Sequence, residues 1–203
     1  MKQYIWYHTK IPKDLTDILV ADLKSNEDSF VPSKVFGGYM PDRRSSKQKW
    51  LDAEHWVPSF IKVYADRANR DQFQYDLDDY EGGSMQYTNY GPGDFYNWHT
   101  DQDIDETDVF SAAYVSDTEE RAHKSAKNNA VSIRKLSFSV MLSDSYDYEG
   151  GDFEILYGDK KVTAPRERGT ILFFDSRVRH RVTKVKSGKR ESLVGWITGP
   201  RWR

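Results

Sequence analysis

The chain has 203 residues, of which 37% are hydrophobic, 14% aromatic and 31% charged. This length favours one domain with a sizeable core, and the composition is typical of a soluble globular protein. The sequence contains no cysteine, which excludes disulfides and zinc–thiolate sites. Its start lacks the apolar run of a signal peptide and no segment reaches membrane-spanning length, so we expect a cytoplasmic protein, in the host cytoplasm if it is viral.

The formal net charge of -2 conceals an asymmetry along the chain. Residues 71–108 include 11 acidic residues and no lysine or arginine, whereas residues 160–203 include 13 basic residues and three acidic ones. Two differently charged solvated surfaces would explain this pattern. An acidic rim and a basic floor that meet at one site would explain it equally well, and both interpretations stay open.

The first part of the chain has helical patterns. The segment "IPKDLTDILVADLKSN" (11–26) carries an apolar stripe that is typical of an amphipathic helix, formed by Leu15, Ile18, Leu19 and Leu23. A second helical region is predicted over residues 49–73, where Pro58 marks a helix start or a kink. Residues 1–83 are therefore expected to be mainly helical support.

From Ser84 onward the pattern changes to short β-like runs separated by Gly, Pro, Asp and Ser. These runs are "SMQYTNY", "RKLSFSVMLS", "GDFEILYG", "KKVTAP", "GTILFFDS", "RHRVTKV" and "RESLVGWITG". Helices followed by many strands predict a single α+β domain over residues 1–203, whose β part is a sandwich or barrel over residues 84–199.

The polar segment 102–131 does not fit this rhythm, because it lies between two predicted strands and contains "DIDETD" and "DTEERAHKSAKNN". A loop of this length inside a compact domain is usually functional or disordered. It is predicted to be a mobile loop that acts as a lid or contacts substrate, with an incidental insertion as the alternative.

Of the five histidines, His99 and His180 fall at the edges of β segments, whereas surface or structural roles are expected for the others. Residues i and i+2 of a strand face the same way, so His99 and Asp101 are spaced to bind one ion. A third ligand from a distant strand, for which His180 is the candidate, would complete the two-histidine, one-carboxylate set of non-haem Fe(II) oxygenases. A lone H-x-D pair is a weak signal that also occurs by chance.

Arg190 follows His180 by ten residues, across a turn at residues 187–189. An antiparallel neighbouring strand would bring this arginine near the metal, and alternation places Arg190, Ser192, Val194, Trp196 and Thr198 on one face. A guanidinium and a hydroxyl suit a carboxylate ligand. A surface residue beside a turn is the other interpretation of Arg190.

In combination, "YGPGDFYNWHTD", "RKLSFSVMLSDSYDYEGGDFEI" and "GTILFFDSRVRHRVTKVKSGKRESLVGWITG" resemble the 2-oxoglutarate- and Fe(II)-dependent oxygenases. The likeness covers roughly residues 84–199 and is greatest for the prolyl-4-hydroxylase-like branch, including bacterial and phage PKHD-type hydroxylases. It implies a double-stranded β-helix, the jelly-roll or cupin-like barrel, behind N-terminal supporting helices. It also implies Fe(II), 2-oxoglutarate and O2 as cofactor and cosubstrates, and ascorbate is a further cofactor that it suggests.

Carried over by position, the resemblance implies that His99, Asp101 and His180 bind the iron. Arg190 would hold the distal carboxylate of 2-oxoglutarate, and Ser192 completes the R-x-S pattern. Tyr90 matches a tyrosine that often contacts the cosubstrate, although a packed strand aromatic is an equal alternative. Met141 stands where several prolyl hydroxylases carry a tyrosine, so the missing donor is expected to be Tyr90, Tyr87 or Thr198.

The resemblance implies a dioxygenase that hydroxylates a substrate while releasing succinate and CO2, with a prolyl residue of a peptide or protein as the leading substrate. A small molecule or an alkylated nucleic acid is an alternative, although Trp196 stands where demethylases carry a second arginine. A non-catalytic ligand-binding barrel is another. No membrane association is expected and nucleic acid is a minor alternative. Asp103, Asp105, Glu106 and Asp108 are hypothesised to attract a cationic peptide.

Overall fold

The computed structural model describes residues 5–25, 30–34, 40–52, 54–81, 85–102 and 132–202. Within these ranges the chain forms the helices α1 (Lys13–Lys24) and α2 (Trp56–Ala68), and α2 continues into a π-helical turn (Asn69–Phe73). The strands of the described ranges are β1 (Trp6–Lys10), β2 (Val31–Pro32), β3 (Arg44–Ser45), β4 (Lys47–Trp50), β5 (Gln86–Tyr90), β6 (Phe95–His99), β7 (Ser132–Met141), β8 (Tyr148–Gly150), β9 (Phe153–Tyr157), β10 (Lys160–Thr163), β11 (Thr170–Asp175), β12 (His180–Val182), β13 (Val185–Gly188) and β14 (Arg190–Pro200).

Both predicted helical regions contain a helix, but the buried stripe of α1 is shifted from the predicted one. Leu19 and Leu23 are buried as expected, whereas Leu15 and Ile18 are 41% and 57% exposed. Thr16 and Val20 complete the buried face instead. The hydroxyl of Thr16 donates to the carbonyl of Pro12, which lets a polar side chain occupy this packed position.

Pro58 lies in the first turn of α2, so it marks a helix start rather than a kink. A proline is tolerated there because the first turn has no intrahelical acceptors for its N–H groups. The ring of His55, which precedes the helix, accepts a hydrogen bond from the backbone N–H of Val57.

The strands form two main antiparallel sheets. The large sheet has the order β1-β11-β7-β14-β5-β4-β2, and the small sheet has the order β10-β9-β12-β6-β3. Strands β13 and β8 pair separately beside them. Residues 1–83, which were expected to be mainly helical, also supply β1, β2, β3 and β4, so this part of the chain extends both sheets as well as covering one of them.

The large sheet is buried on both faces, and β11 (TILFFD) is buried at every position. Ile171 and Phe173 point to the cluster that includes α1 and α2, whereas Leu172 and Phe174 belong to a second cluster with residues of the small sheet. Because successive side chains of β11 point to opposite faces of the sheet, this one strand contributes to two hydrophobic cores. The second core lies between the sheets, where the functional side chains converge.

The predicted loop 102–131 lies outside the described residues except for Gln102, and so do the acidic residues hypothesised to attract a cationic peptide. In the part of the chain that the structure describes, no helix combines the length and the apolar character needed to cross a membrane.

Candidate metal and cosubstrate site

The three predicted metal ligands converge where β6 and β12 pair in the small sheet. His99 ends β6 and His180 begins β12, and these two residues are directly opposite each other in the antiparallel register. Asp101 follows β6 by two residues, and its backbone N–H donates to the carbonyl of Ser176 at 2.9 Å. Alternation along a strand was expected to place Asp101 beside His99. Asp101 instead lies past the end of β6, and its backbone hydrogen bond to Ser176 directs it inward.

The ligand atoms of His99, Asp101 and His180 all lie within 4.8 Å of one another. One carboxylate oxygen of Asp101 is 3.7 Å from Nε2 of His99, and the other is 3.5 Å from Nε2 of His180. All three side chains are largely buried. Two imidazole nitrogens and a carboxylate that face one point form a donor set suited to a divalent metal.

Backbone carbonyls fix the orientation of both imidazole rings. Nδ1 of His99 is 2.7 Å from the carbonyl oxygen of Asn97, and Nδ1 of His180 is 2.9 Å from that of Val178. In each neutral ring Nδ1 is then the donor, which leaves the lone pair on Nε2 free to bind a metal.

The protonation states also suit metal binding. Burial lowers the pKa of His99 to about 3, and the neighbouring His180 adds to this shift. Burial alone would raise the pKa of Asp101, but the two histidines and Arg134 outweigh it and hold that pKa below its usual range. His99 is therefore neutral and Asp101 ionised at neutral pH, which are the forms that bind a metal.

A cavity of about 450 Å³, open to solvent, lies between the two sheets beside these ligands. Half of its lining residues are apolar or aromatic and half are polar or charged, so the cavity can hold a ligand that carries charged groups. The lining residues are Arg44, Gln86, Tyr90, Tyr96, His99, Asp101, Phe138, Ser139, Phe153, Phe174, His180, Val182, Arg190, Ser192, Val194 and Trp196.

Arg190 reaches this cavity from the large sheet, where β14 pairs with β5 and β7. The expectation that Arg190 lies on a strand next to His180 is therefore wrong, because the two residues belong to opposite sheets. Arg190 is 2% exposed and donates to the hydroxyl of Ser192 at 3.0 Å and to the sulfur of Met141 at 3.4 Å. Among the described residues none offers it a carboxylate.

Gly151 explains how Arg190 fits into this space. The backbone of Gly151 has a φ of +63°, and a Cβ there would lie 3.0 Å from Cδ of Arg190. A glycine meets both demands, the left-handed backbone and the close approach of the arginine stem. Gly151, which lies in the quoted stretch RKLSFSVMLSDSYDYEGGDFEI, therefore shapes the wall beside Arg190.

Of the three residues expected to replace the family tyrosine, Tyr90 alone lines the cavity. Its ring centroid is 5.3 Å from the Arg190 guanidinium. The hydroxyl of Tyr87 instead donates to Glu191 at 2.8 Å, and that of Thr198 donates to the carbonyl of Asp79. A register shift between Ile197 and Thr198 takes Thr198 out of the alternation predicted for β14.

Sequence reasoning missed a pair of serines behind Asp101. Ser137 helps to hold the pKa of Asp101 below its usual range, and its hydroxyl lies 2.9 Å from the hydroxyl of Ser176. Both serines are fully buried. The alternating serines of the quoted run RKLSFSVMLS were the available signal, because Ser137 and Ser139 share one face of β7, and Ser139 lines the cavity.

Sequence reasoning also missed Arg44, and it named Trp196 as a strand residue without placing it near the metal ligands. Tyr96, from the quoted HTD stretch, stacks on His99 with ring centroids 3.5 Å apart. The guanidinium of Arg44 lies 4.7 Å from the Tyr96 ring centroid. Arg44 had no signal in the sequence, because β3 is short and its pairing partner is 50 residues away in the chain.

The cavity fits both groups that the resemblance implies. The two imidazoles and one carboxylate are a donor set for Fe(II). Arg190 is a buried cation that lacks a carboxylate, and the hydroxyl of Ser139 lines the cavity without a hydrogen-bond partner in the described structure. Because buried polar groups are normally satisfied, these two side chains suit a polar, carboxylate-bearing ligand.

Residues 85–198 match the model of the 2OG-Fe(II) oxygenase superfamily. This protein belongs to that superfamily. A PKHD-type hydroxylase of Synechococcus sp. (strain CC9902) is 44% identical over 66 residues, which cover 32% of this chain and 29% of the relative. Another from Picosynechococcus sp. is 28% identical over 114 residues, covering 56% of this chain and 41% of the relative. The alignments therefore span less than half of these relatives.

Solved structures extend the likeness to almost the whole chain. A prolyl-4-hydroxylase of Pseudomonas putida has a TM-score of 0.71 at 18% identity, covering 98% of this chain and 94% of its own. The viral collagen prolyl hydroxylase of Paramecium Bursaria Chlorella virus-1, a 2OG complex, has a TM-score of 0.64 at 20% identity, covering 97% of each chain. These structures confirm the predicted fold class, and the relatives confirm the resemblance to the PKHD-type and prolyl-4-hydroxylase-like branch.

Proposed function

We propose that this protein is a 2-oxoglutarate- and Fe(II)-dependent dioxygenase that hydroxylates a prolyl residue of a peptide or protein. The proposal rests chiefly on one observation: His99, Asp101 and His180 direct their ligand atoms to one point, in a cavity that also holds the buried Arg190. A binding module has no use for this combination, since a buried cation and three converging ligands each cost stability.

In this proposal, His99, Asp101 and His180 hold Fe(II), and Arg190 with Ser192 binds the far carboxylate of 2-oxoglutarate. The bound centre supplies the oxidising power for hydroxylation, as O2 is consumed and 2-oxoglutarate becomes succinate and CO2. A planar guanidinium can donate two parallel hydrogen bonds to a carboxylate, which fixes the orientation of the cosubstrate as well as its position. Tyr90, beside Arg190, is the candidate for a further cosubstrate contact.

The protein's own groups prepare the site for this chemistry. Carbonyls of Asn97 and Val178 hold the histidine rings with Nε2 facing the cavity. Phe153 and Phe174 pack against the His180 ring, with centroids 5.4 Å and 4.6 Å from it. This apolar wall excludes water on that side and strengthens the electrostatic interactions inside the cavity.

Two aromatic residues of the cavity support a prolyl substrate. Tyr96 stacks on His99, and Trp196 lines the cavity from the large sheet. The guanidinium of Arg134 lies 4.1 Å from the Trp196 ring centroid and helps to hold that ring in place. Aromatic faces near the metal ligands offer an apolar surface on which a saturated pyrrolidine ring can pack.

The relatives and solved structures support the same substrate class. The named relatives are PKHD-type hydroxylases. A prolyl hydroxylase from Trichoplax adhaerens, solved with a hypoxia inducible factor peptide, has a TM-score of 0.68 at 14% identity, covering 95% of this chain and 83% of its own. Peptide binding by that protein favours a peptide or protein substrate here over nucleic acid.

The proposal is tested by adding Fe(II) and 2-oxoglutarate to the protein under nitrogen. A weak visible charge-transfer band should appear, and it should vanish in His180→Ala. Addition of O2 and prolyl peptides should then release succinate and give products heavier by one oxygen, with ascorbate compared for its effect on the yield. A protein that binds neither iron nor 2-oxoglutarate would instead be a non-catalytic barrel.

A further inference from the structure

We infer that Arg44 binds a carboxylate of the substrate, so that the preferred prolyl substrate presents a free carboxylate, as a C-terminal proline does. This inference rests on the proposed function and narrows it, because prolines inside a polypeptide carry no such group. It gives a role to Arg44, the second arginine that lines the cavity, which the proposed iron and 2-oxoglutarate sites do not use.

Arg44 is buried without a counter-charge among the described residues. Its side chain donates from Nε to the hydroxyl of Ser46 and from one terminal nitrogen to the side-chain oxygen of Gln86, both at 2.9 Å. Arg44 is only 6% exposed, whereas the adjacent Arg43 is exposed to solvent. The described residues place no carboxylate within ion-pair distance of it.

Neutral acceptors satisfy hydrogen bonds but do not cancel the charge of a guanidinium. The oxygen of Gln86 is also shared, since it accepts a second hydrogen bond from Thr88 at 3.2 Å. A buried charge that lacks a counter-charge is costly unless a ligand supplies one. The two donors that Arg44 uses leave its other terminal nitrogen without a partner among the described residues.

The charges of the cavity indicate which ligand would balance the positive charge of Arg44. Apart from the two histidines, which are neutral when they bind a metal, the charged lining residues in the part of the chain that the structure describes are Arg44, Arg190 and Asp101. Fe(II) and the dianion of 2-oxoglutarate cancel each other. The loaded cavity therefore keeps one excess positive charge, which a substrate with one negative charge would neutralise.

The position of Arg44 indicates where on the substrate this charge lies. The guanidinium is 4.7 Å from the centroid of Tyr96, and the centroids of Tyr96 and His99 are 3.5 Å apart. The anion site is thus separated from a metal ligand by a single aromatic ring. A pyrrolidine ring that lies against Tyr96 would have its own carboxylate, rather than that of a distant residue, within reach of Arg44.

The test uses two probes that differ in charge and hardly in shape, N-acetyl-L-proline and N-acetyl-L-prolinamide. Their dissociation constants are measured by calorimetry under nitrogen on the protein that holds Fe(II) and 2-oxoglutarate. We expect the acid to bind at least about tenfold more tightly than the amide, as expected for a charge-assisted hydrogen bond. In Arg44→Met the two constants should agree within about twofold, and Arg44→Lys should retain part of the preference.

Arg43→Met is the matched control, because it removes an arginine next in the chain that is exposed to solvent. It should keep the wild-type preference for the acid. Wild-type protein that binds both probes equally, or neither, would overturn the inference without recourse to any variant. A preference for the acid that persists in Arg44→Met would also overturn the inference. An equal loss of affinity for the acid and the amide in that variant would overturn it too.

The charge-transfer band, recorded on the same samples, separates this inference from the proposed function. A normal band without preference for the acid overturns the role of Arg44 alone. Absence of the band in wild-type protein overturns the proposed function, and the inference falls with it.

Discussion

Along β7 and β11, the large sheet turns Val140 and Phe173 towards the helices on one face and Ser137 and Ser139 towards the small sheet on the other. The first face is a continuous apolar core. Among the described residues, the second face has a buried hydroxyl without a partner and, from β14, a buried guanidinium without a carboxylate. The same strands thus support folding on one face and ligand binding on the other.

This difference indicates how stability and function are divided between the two faces. Apolar burial on the helical face supplies free energy of folding. Buried polar groups on the cavity face reduce it until a ligand satisfies them. Substitutions on the two faces should therefore affect different measurements.

The largest effect on stability is expected from Phe173→Ala. Phe173 is fully buried on the helical face, and truncation should lower the free energy of unfolding by about 3–5 kcal/mol through lost transfer energy and a cavity. Urea unfolding measures this change. Ser139→Ala, on the cavity face, should change it by less than about 1 kcal/mol. Equal losses in the two variants would contradict the division between the faces.

Arg190→Met should chiefly affect ligand binding. Loss of the guanidinium is expected to weaken 2-oxoglutarate binding roughly 100-fold, because charge-assisted hydrogen bonds to the carboxylate disappear. The cofactor-free variant should be at least as stable as wild type, since an unneutralised buried cation is removed. Calorimetry with Fe(II) under nitrogen gives the affinity, and urea unfolding gives the stability.

Arg168→Met is the control for that variant. Arg168 is partly buried but pairs with Asp17 on the helical side, away from the cavity. Its replacement should leave the affinity for 2-oxoglutarate unchanged. If Arg190→Met bound 2-oxoglutarate like wild type, the assignment of the cosubstrate carboxylate to Arg190 would be wrong.

Ser137→Ala should weaken Fe(II) binding by about tenfold, the lower end of the range for residues that orient a metal ligand. Ser137 helps to hold the pKa of Asp101 below its usual range, and its hydroxyl lies 2.9 Å from that of Ser176. Ser137→Thr should restore most of the affinity. Ser139→Ala, two residues along the same strand, should leave it unchanged, and equal effects of both serines would argue against orientation of Asp101.

The smallest effect concerns the pH dependence of stability at Glu191, which faces away from the cavity. Burial alone would raise the pKa of Glu191, but hydrogen bonds from Lys189, Tyr87 and Lys24 outweigh it and hold that pKa below its ordinary value of 4.5. The ionised form is thus favoured by folding. Its stabilising contribution is complete above pH 4.5 and is lost as the pH falls through the folded-state pKa.

Glu191→Gln should therefore destabilise the protein by roughly 1 kcal/mol at pH 7 and by progressively less in acid. Urea unfolding of wild type and variant at several pH values between 3 and 7, the range set by this lowered pKa, measures the difference. A difference that stays constant across this range would show that Glu191 does not titrate on unfolding.

The local patterns of the sequence predicted much of the fold. Alternating and apolar runs gave seven strand segments, and β5, β7, β9, β10, β11, β12 and β14 lie within or overlap them. Short strands such as β3 and β8 escaped prediction, because two or three residues carry too little periodicity to identify a strand. The N-terminal strands were missed for a related reason, since their pairing partners lie far away in the chain.

The sequence by itself determined the chemistry of the candidate site: His99, Asp101, His180 and Arg190 were identified from residue type, order and resemblance. Tertiary structure decided how they meet. Asp101 is turned inward by a backbone tether to Ser176, and Arg190 arrives from the opposite sheet. It also brought to the site Arg44, which no local pattern marks, and Ser137, because proximity across sheets depends on register and packing rather than on neighbours in the chain.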